Sequence, residues 1–350
     1  MPDNKTVSIA GLRRFIGEVF SRVGVADGEG QIVADNLLKA DLWGISSHGI
    51  SRFPVYLKRI EDGAVNPMPN IKITRPLPAV LSVDGDNGLG AVITKKALDE
   101  AMLTAGTFGM ATIGIRHSNH FGAAGYYCEI AARQNCVSIV LTDAPPATPA
   151  WGSKEPYFGT NPIAIGLPRR DQSPVIIDMA TSIVARGKII AAAKKGESIP
   201  AGWALDKDGV PTTNAKEALA GTLLPMAGPK GYALALAVEH LSGVLTGAAF
   251  GRDVAWQYGS KQDAANVGHI LILVRADAFL GLDEYHERTE RFCNEIKDSE
   301  KAPGVTEIFL PGERERNMEQ ILTKQGIEVP STLLEEFEQI AAKYGVSMVH

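Results

Sequence analysis

The residues best able to do chemistry fall in two short clusters. The first, Ser46-Ser47-His48-Gly49-Ile50-Ser51-Arg52-Phe53-Pro54-Val55-Tyr56, brings an imidazole, a guanidinium and a phenol together within a few residues. Histidine titrates near neutrality and so moves protons without large tuning, and arginine's planar fork pairs with both oxygens of a carboxylate. The chemistry suggested is proton transfer on a small acidic substrate. The second cluster, Arg116-His117-Ser118-Asn119-His120-Phe121-Gly122, follows an apolar run and precedes a helical one. Its polar groups therefore belong at the C-terminal edge of a strand, where open α/β sheets bind ligands. His120 is the better base candidate, because Gly122, Ala123 and Ala124 leave room for a ligand, whereas His117 reads as structural. Either cluster alone is equally well a solvated ion-pair partner or a satisfied histidine; two of them at element ends bring a catalytic reading into contention.

Three further positions carry usable groups. Asp178 ends the apolar run Val175-Ile176-Ile177, where a carboxylate can orient an imidazole, bind a ribose or simply cap the next helix. Gly159-Thr160-Asn161-Pro162 is a tight turn whose exposed amides suit a cofactor, although it is also ordinary turn chemistry. Lys230, between Pro229 and Gly231, stands at a helix start, where a cation opposes the dipole unless an anion faces it. The dinucleotide fingerprint is missing: Gly85, Gly88 and Gly90 follow a strand in the order G-x-x-G-x-G.

The elements that must hold these groups follow from periodicity. Pro54 belongs in a first helical turn, which places a helix start near Ser51 with Arg52 and Tyr56 on one face. Gly49 is expected to supply unusual backbone angles to the lead-in turn carrying His48. Leu12, Phe15, Ile16, Val19 and Phe20 repeat with helical spacing, and a second helix opens near Asp27. Strand and helix then alternate: strands over 111–115, 137–142, 163–167, 175–177 and 270–274, helices over 94–107, 123–134 and 231–247. Such alternation predicts an α/β fold. A helical unit built from both chain ends, 1–77 with 283–350, is expected to flank an α/β domain over 78–282.

A formal charge of -5 with scattered lysines and arginines offers no footprint for nucleic acid or a membrane surface. Cys128, Cys136 and Cys293 are too few and too irregular for a disulfide framework or zinc site. With no apolar stretch of about 20 residues and no apolar signal core at the start, a cytoplasmic protein is expected.

Taken together, Ser47-His48-Gly49 with Arg52 and Tyr56, Ser118-Asn119-His120-Phe121-Gly122, Gly159-Thr160-Asn161-Pro162, Asp178-Met179-Ala180-Thr181 and Gly228-Pro229-Lys230-Gly231-Tyr232 resemble the malate/L-lactate dehydrogenase family. This family is unrelated to the Rossmann-type lactate and malate dehydrogenases, and it also includes ureidoglycolate and sulfolactate dehydrogenases, a diketogulonate reductase and a cyclic imine reductase. The resemblance implies an oxidoreductase using NAD or NADP on a non-Rossmann α/β fold, a homodimer with its active site near the subunit contact. It implies His48 and His120 as proton-transfer residues with Asp178 as a further catalytic group. Arg52 becomes the substrate-carboxylate clamp, and Ser47 and Tyr56 substrate neighbours. His120, Thr160, Asn161, Asp178, Met179, Ala180, Lys230, Gly312 and Glu313 become cofactor contacts. Family members differ in which histidine is the acid/base, and both stay open here. The loop Asp143-Ala144-Pro145-Pro146 departs from related chains, which tend to carry Asn or Ser and then a charged side chain. If that loop reads the far end of the substrate, a special contact is lost, which weighs against ureidoglycolate; the short 220–230 connection points the other way.

The expected reaction is hydride transfer between the nicotinamide and C2 of a small 2-hydroxy or 2-oxo acid, with no metal. The rivals are a metal-dependent lyase or hydrolase using His48, His120 and Asp178 as ligands, and a nonenzymatic binding protein.

Overall fold

The structure, a computed structural model, describes residues 4–170, 172–257 and 263–348. A seven-stranded sheet runs in the order Lys72–Leu77, Val80–Asp84, Met110–Ser118, Val267–Arg275, Cys136–Thr142, Ile163–Leu167, Val175–Met179. The fold is α/β as the alternation predicts, but the sheet is mixed. Only Val80–Asp84 and Met110–Ser118 pair in parallel, joined across the helix Gly90–Phe108, and every other neighbour is antiparallel. The strand expected over 270–274 sits at the centre, inserted between two strands that precede it by more than a hundred residues.

One core lies beneath the sheet, where Leu81, Ile93, Leu98, Ile113, Tyr127 and Leu271 are buried against one another. A second joins the chain ends: Leu12, Phe15, Phe20, Leu37 and Phe53 pack with Leu334 and Phe337. Phe53 sits edge-on to Phe15, Phe20 and Phe337, with ring centroids 5.8, 5.3 and 5.7 Å away. Burying such a ring is worth roughly 1.5–3 kcal/mol, so the element that follows His48 is anchored firmly. The strands Lys5–Val7 and Ile327–Val329 close this unit by pairing antiparallel. Two segments at the inner bounds of the expected helical unit contact the sheet. Lys72–Leu77 is hydrogen-bonded to Val80–Asp84, and the helix Leu282–Lys297 packs Cys293 against Val175 and Leu310.

Candidate active site

The His48 stretch differs in detail from its expected form. Two short 3-10 turns, Ser46–His48 and Ile50–Arg52, lead into an α-helix over Phe53–Glu61. Arg52 is the helix cap, so the helix begins one residue later than expected, with Pro54 still inside the first turn where its missing N–H costs nothing. Gly49 is needed for space rather than for unusual angles. Its φ is -86°, and a Cβ there would stand 2.1 Å from Oδ1 of Asp41. The Asp41 carboxylate accepts the Ile50 N–H at 2.7 Å, pinning the turn to the helix Glu29–Leu42, and burial pushes its pKa up to about 7.

The His120 turn is fixed just as closely. The Asn119 amide donates to the carbonyls of Asn87 and Gly88 and to the Asn87 side chain. Gly122 has φ +84°, and a Cβ there would meet Asn36 Oδ1 at 1.6 Å, so only glycine fits. Phe121 stacks on His269 with centroids 4.4 Å apart. His269 is a support that sequence reasoning missed. Fully buried in the central strand, it bonds Thr142 Oγ1 through Nδ1 at 2.7 Å and Ser118 Oγ through Nε2 at 2.8 Å, tying three strands together. Burial pulls its pKa down to about 3. The available signal was a lone polar residue inside the apolar run 267–274.

These two turns converge. The His48 and His120 rings lie 5.4 Å apart at 28°, and Tyr56 OH is 2.5 Å from His120 Nδ1. Ser47 Oγ is 3.0 Å from His48 Nδ1, and the Ser47 carbonyl accepts Arg52 Nε–H at 2.5 Å. Burial, and then the Arg52 charge, pull the His48 pKa down to about 4. Burial also holds His120 well below its usual range, reinforced by His48, Arg52 and His269. Both imidazoles are therefore neutral near pH 7. His117 stands apart, exposed, on Asp84 at 2.9 Å, as a structural residue would.

Asp178 belongs to a different wall. It neither orients an imidazole nor caps the next helix. Its Oδ2 accepts the Gly125 N–H at 2.8 Å, capping the helix Ala124–Arg133 from the neighbouring strand. Oδ1 has no hydrogen-bond partner among the described residues. Although Asp178 opens onto a cleft, the surrounding protein excludes enough water to raise its pKa to about 6. That cleft, about 490 Å³, is walled by Trp43, Ile176, Met179, Phe309, Gly312 and Arg314, and neither histidine lines it. The Arg314 guanidinium lies 4.8 Å over the Phe309 ring.

The remaining expected contacts divide between exposed and committed groups. Thr160 accepts the Thr181 N–H on its carbonyl, which lays the 159–162 turn beside Met179 and Ala180. The Asn161 side chain is buried and donates to Glu239 at 2.6 Å and to the Ala235 carbonyl at 3.1 Å, leaving only its main chain for a ligand. Glu313 is likewise held by Lys297 at 2.7 Å. Lys230 stands exposed in the first turn of the helix Pro229–Glu239, with no ion-pair partner among the described residues. The Asp143 carboxylate faces inward, accepting Gly268 N–H at 3.0 Å, so any reading of a substrate by that loop rests on Ala144, Pro145 and Pro146. Among the described residues no three of His, Cys, Asp or Glu gather as a metal-ligand set, so His48, His120 and Asp178 do not form one.

The site sets two imidazoles beside a guanidinium on a mixed α/β sheet. The chain belongs to the malate/L-lactate dehydrogenase family, whose sequence profile matches residues 7–338. It is 40% identical over 337 residues to the L-sulfolactate dehydrogenase of Methanocaldococcus jannaschii, covering 96% of each chain. The structure of that organism's sulfolactate dehydrogenase superposes with a TM-score of 0.92 at 39% identity, covering 98% of both. The chain is also 33% identical to the ureidoglycolate dehydrogenase (NAD(+)) of Escherichia coli K12, over 91% of this chain and 90% of that one. To the (2R)-3-sulfolactate dehydrogenase (NADP(+)) of Chromohalobacter salexigens it is 36% identical, over 91% and 93%.

Proposed function

We propose that this dehydrogenase interconverts a small 2-hydroxy acid and its 2-oxo acid by hydride transfer with NAD or NADP, a histidine removing and returning the proton. The observation that carries the reading is the convergence of His48, His120, Arg52 and Tyr56 from separate segments onto one spot. Sulfolactate and ureidoglycolate, in the relatives' names, both place a carboxylate beside the reacting carbon, the group an arginine fork suits. One relative is named for NAD(+) and another for NADP(+).

The chain's residues fit a dinucleotide. The cleft is largely apolar with one carboxylate oxygen of Asp178 open to it, the mix that small-molecule sites use to bury a flat group and fix its orientation. Asp178, Met179, Ala180 and Gly312 would hold it there, with Thr160, the Asn161 main chain and Lys230 on the neighbouring surface. When bound, the nicotinamide supplies the hydride chemistry. Arg52 fixes the acid, the histidines handle the proton at the C2 oxygen, and the flanking 3-10 turns hold these groups at one spacing. The assembly is a homodimer.

The test is a panel of 2-oxo and 2-hydroxy acids, malate, sulfolactate and ureidoglycolate included, and a cyclic imine, against both cofactors in both redox states. Saturable turnover of a 2-hydroxy or 2-oxo acid is expected. A folded protein that leaves NADH and NADPH fluorescence unchanged and turns over nothing in the panel would overturn the assignment.

A further inference from the structure

The two imidazoles are bonded differently at Nδ1, and from this we infer that His48 carries the reacting proton while His120 is a fixed Nε2–H donor, with Tyr56 as the residue that positions it. The inference rests on the proposed reaction and decides between its two histidines.

The Gly122 backbone N–H points at His120 Nδ1 across 3.3 Å. A backbone N–H can only donate, so Nδ1 must offer its lone pair, and the ring proton of neutral His120 sits on Nε2. Tyr56 OH, 2.5 Å from the same nitrogen, then donates as well. Protonating His120 would bring a new Nδ1–H against the Gly122 N–H, with only the Tyr56 hydroxyl able to turn and accept it. The Gly122 N–H cannot swing away, because its Cα is pressed on Asn36 and the preceding Phe121 carbonyl is held by Tyr127 OH at 2.6 Å. His120 Nε2 therefore donates a hydrogen bond and has no lone pair with which to take a proton.

His48 has no such constraint. Its Nδ1 partner is Ser47 Oγ at 3.0 Å, and a hydroxyl donates or accepts as required. Both the neutral ring with a free Nε2 lone pair and the imidazolium are accommodated. The charged and titratable groups acting on the pair are Arg52, Tyr56 and His269, along with each other. A bound carboxylate offsets Arg52, the only charge among the forces that lower His48, and lifts that imidazole toward the working range. In oxidation the substrate O–H bond breaks as an N–H bond forms at His48 Nε2. The nicotinamide of the proposed reaction, when bound in its oxidised form, would accept the C2 hydride and leave the C2–O bond double, and His120 Nε2–H donates to that same oxygen. The 5.4 Å ring separation lets one oxygen lie within reach of both.

Nitrogen NMR of the ¹⁵N-histidine-labelled full-length protein reads this directly, without substrate. His120 should show the Nε2–H tautomer from pH 6 to 9 with no titration. Tyr56→Phe should broaden that tautomer assignment and lower kcat more than it raises KM. Kinetically, His48→Gln should abolish the acidic limb of the oxidation pH profile and lower kcat by roughly 10²–10⁴-fold, the worth of a general base. His120→Gln, which keeps an N–H donor but not its placement, should retain that limb and lose no more than about tenfold, the upper worth of one hydrogen bond. An Nδ1–H tautomer at His120, or a limb that follows His120 instead of His48, would overturn the inference. If no acid in the panel is turned over, the proposed reaction fails, and the tautomer result still stands or falls by itself.

Discussion

Arg52 holds two tasks with one side chain: its Nε–H reaches back to the Ser47 carbonyl, and its charge acts on both histidines. Arg52→Lys separates them. Lysine keeps the charge but loses the planar fork, so a simple field effect would leave kinetics nearly intact. If the fork binds the substrate carboxylate, the lost charge-assisted bonding is worth about 1.5–3 kcal/mol, and kcat/KM should fall roughly ten- to a hundredfold. NAD(P)H affinity should hardly move. Steady-state kinetics beside a cofactor titration checks both, and an efficiency within about twofold of wild type would remove the clamp, since an exposed ion pair supplies no more.

At the scale of elements, the site is a pair of turns held by buried polar contacts. Asp41 makes this pH-dependent. Its pKa is raised in the folded state to about 7, so its contribution to stability is fully present below the unfolded carboxylate range and is lost as pH rises through about 7. Asp41→Asn keeps an acceptor for the Ile50 N–H and removes the ionisation. Melting temperatures measured from pH 4 to 8 should show a decline in wild type that is smaller in the variant; parallel curves would mean that Asp41 ionises without strain. The helix Pro229–Glu239 presents the second element-scale case, because Lys230 sits in its first turn unpaired among the described residues. A cation there is unfavourable by roughly 0.3–1 kcal/mol unless it meets an anion. Lys230→Ala should therefore weaken NAD(P)H binding more than substrate binding, with no loss of stability. Unchanged cofactor affinity by titration would make Lys230 a solvated side chain.

For the whole molecule, the apolar faces of the terminal helices pack on one another in the core around Phe337 and are covered there. Exposed apolar side chains gather instead on the helix Pro229–Glu239 and the π-helical turn after it, where Leu234, Leu236, Val244 and Leu245 are open. Neighbouring exposed apolar side chains of this kind suit an interaction surface, and a twofold dimer is the commonest way to cover one. Light scattering at working concentration should give twice the chain mass, and Leu245→Glu should shift the protein toward monomer with lower activity. A fully active wild-type monomer would defeat the dimer. None of the described helices is long and apolar enough to cross a membrane.

What could be read along the chain was whatever repeats or contrasts locally. Helical spacing located Ile9–Arg22, apolar runs located the strands, and Pro229 placed Lys230 at a helix start. Co-linear motifs marked His48, Arg52, His120 and Asp178. Tertiary structure alone decided their partners. Tyr56 meets His120 across 64 positions and Asp178 caps Gly125 across 53, and no periodicity carries such a pairing. The central place of Val267–Arg275, and with it the three-strand link through His269, is a matter of sheet order, which strand patterns leave open because any apolar strand can fill an interior slot. Which nitrogen of His120 holds its proton was decided last and most locally, by where the folded chain happens to aim the N–H of Gly122.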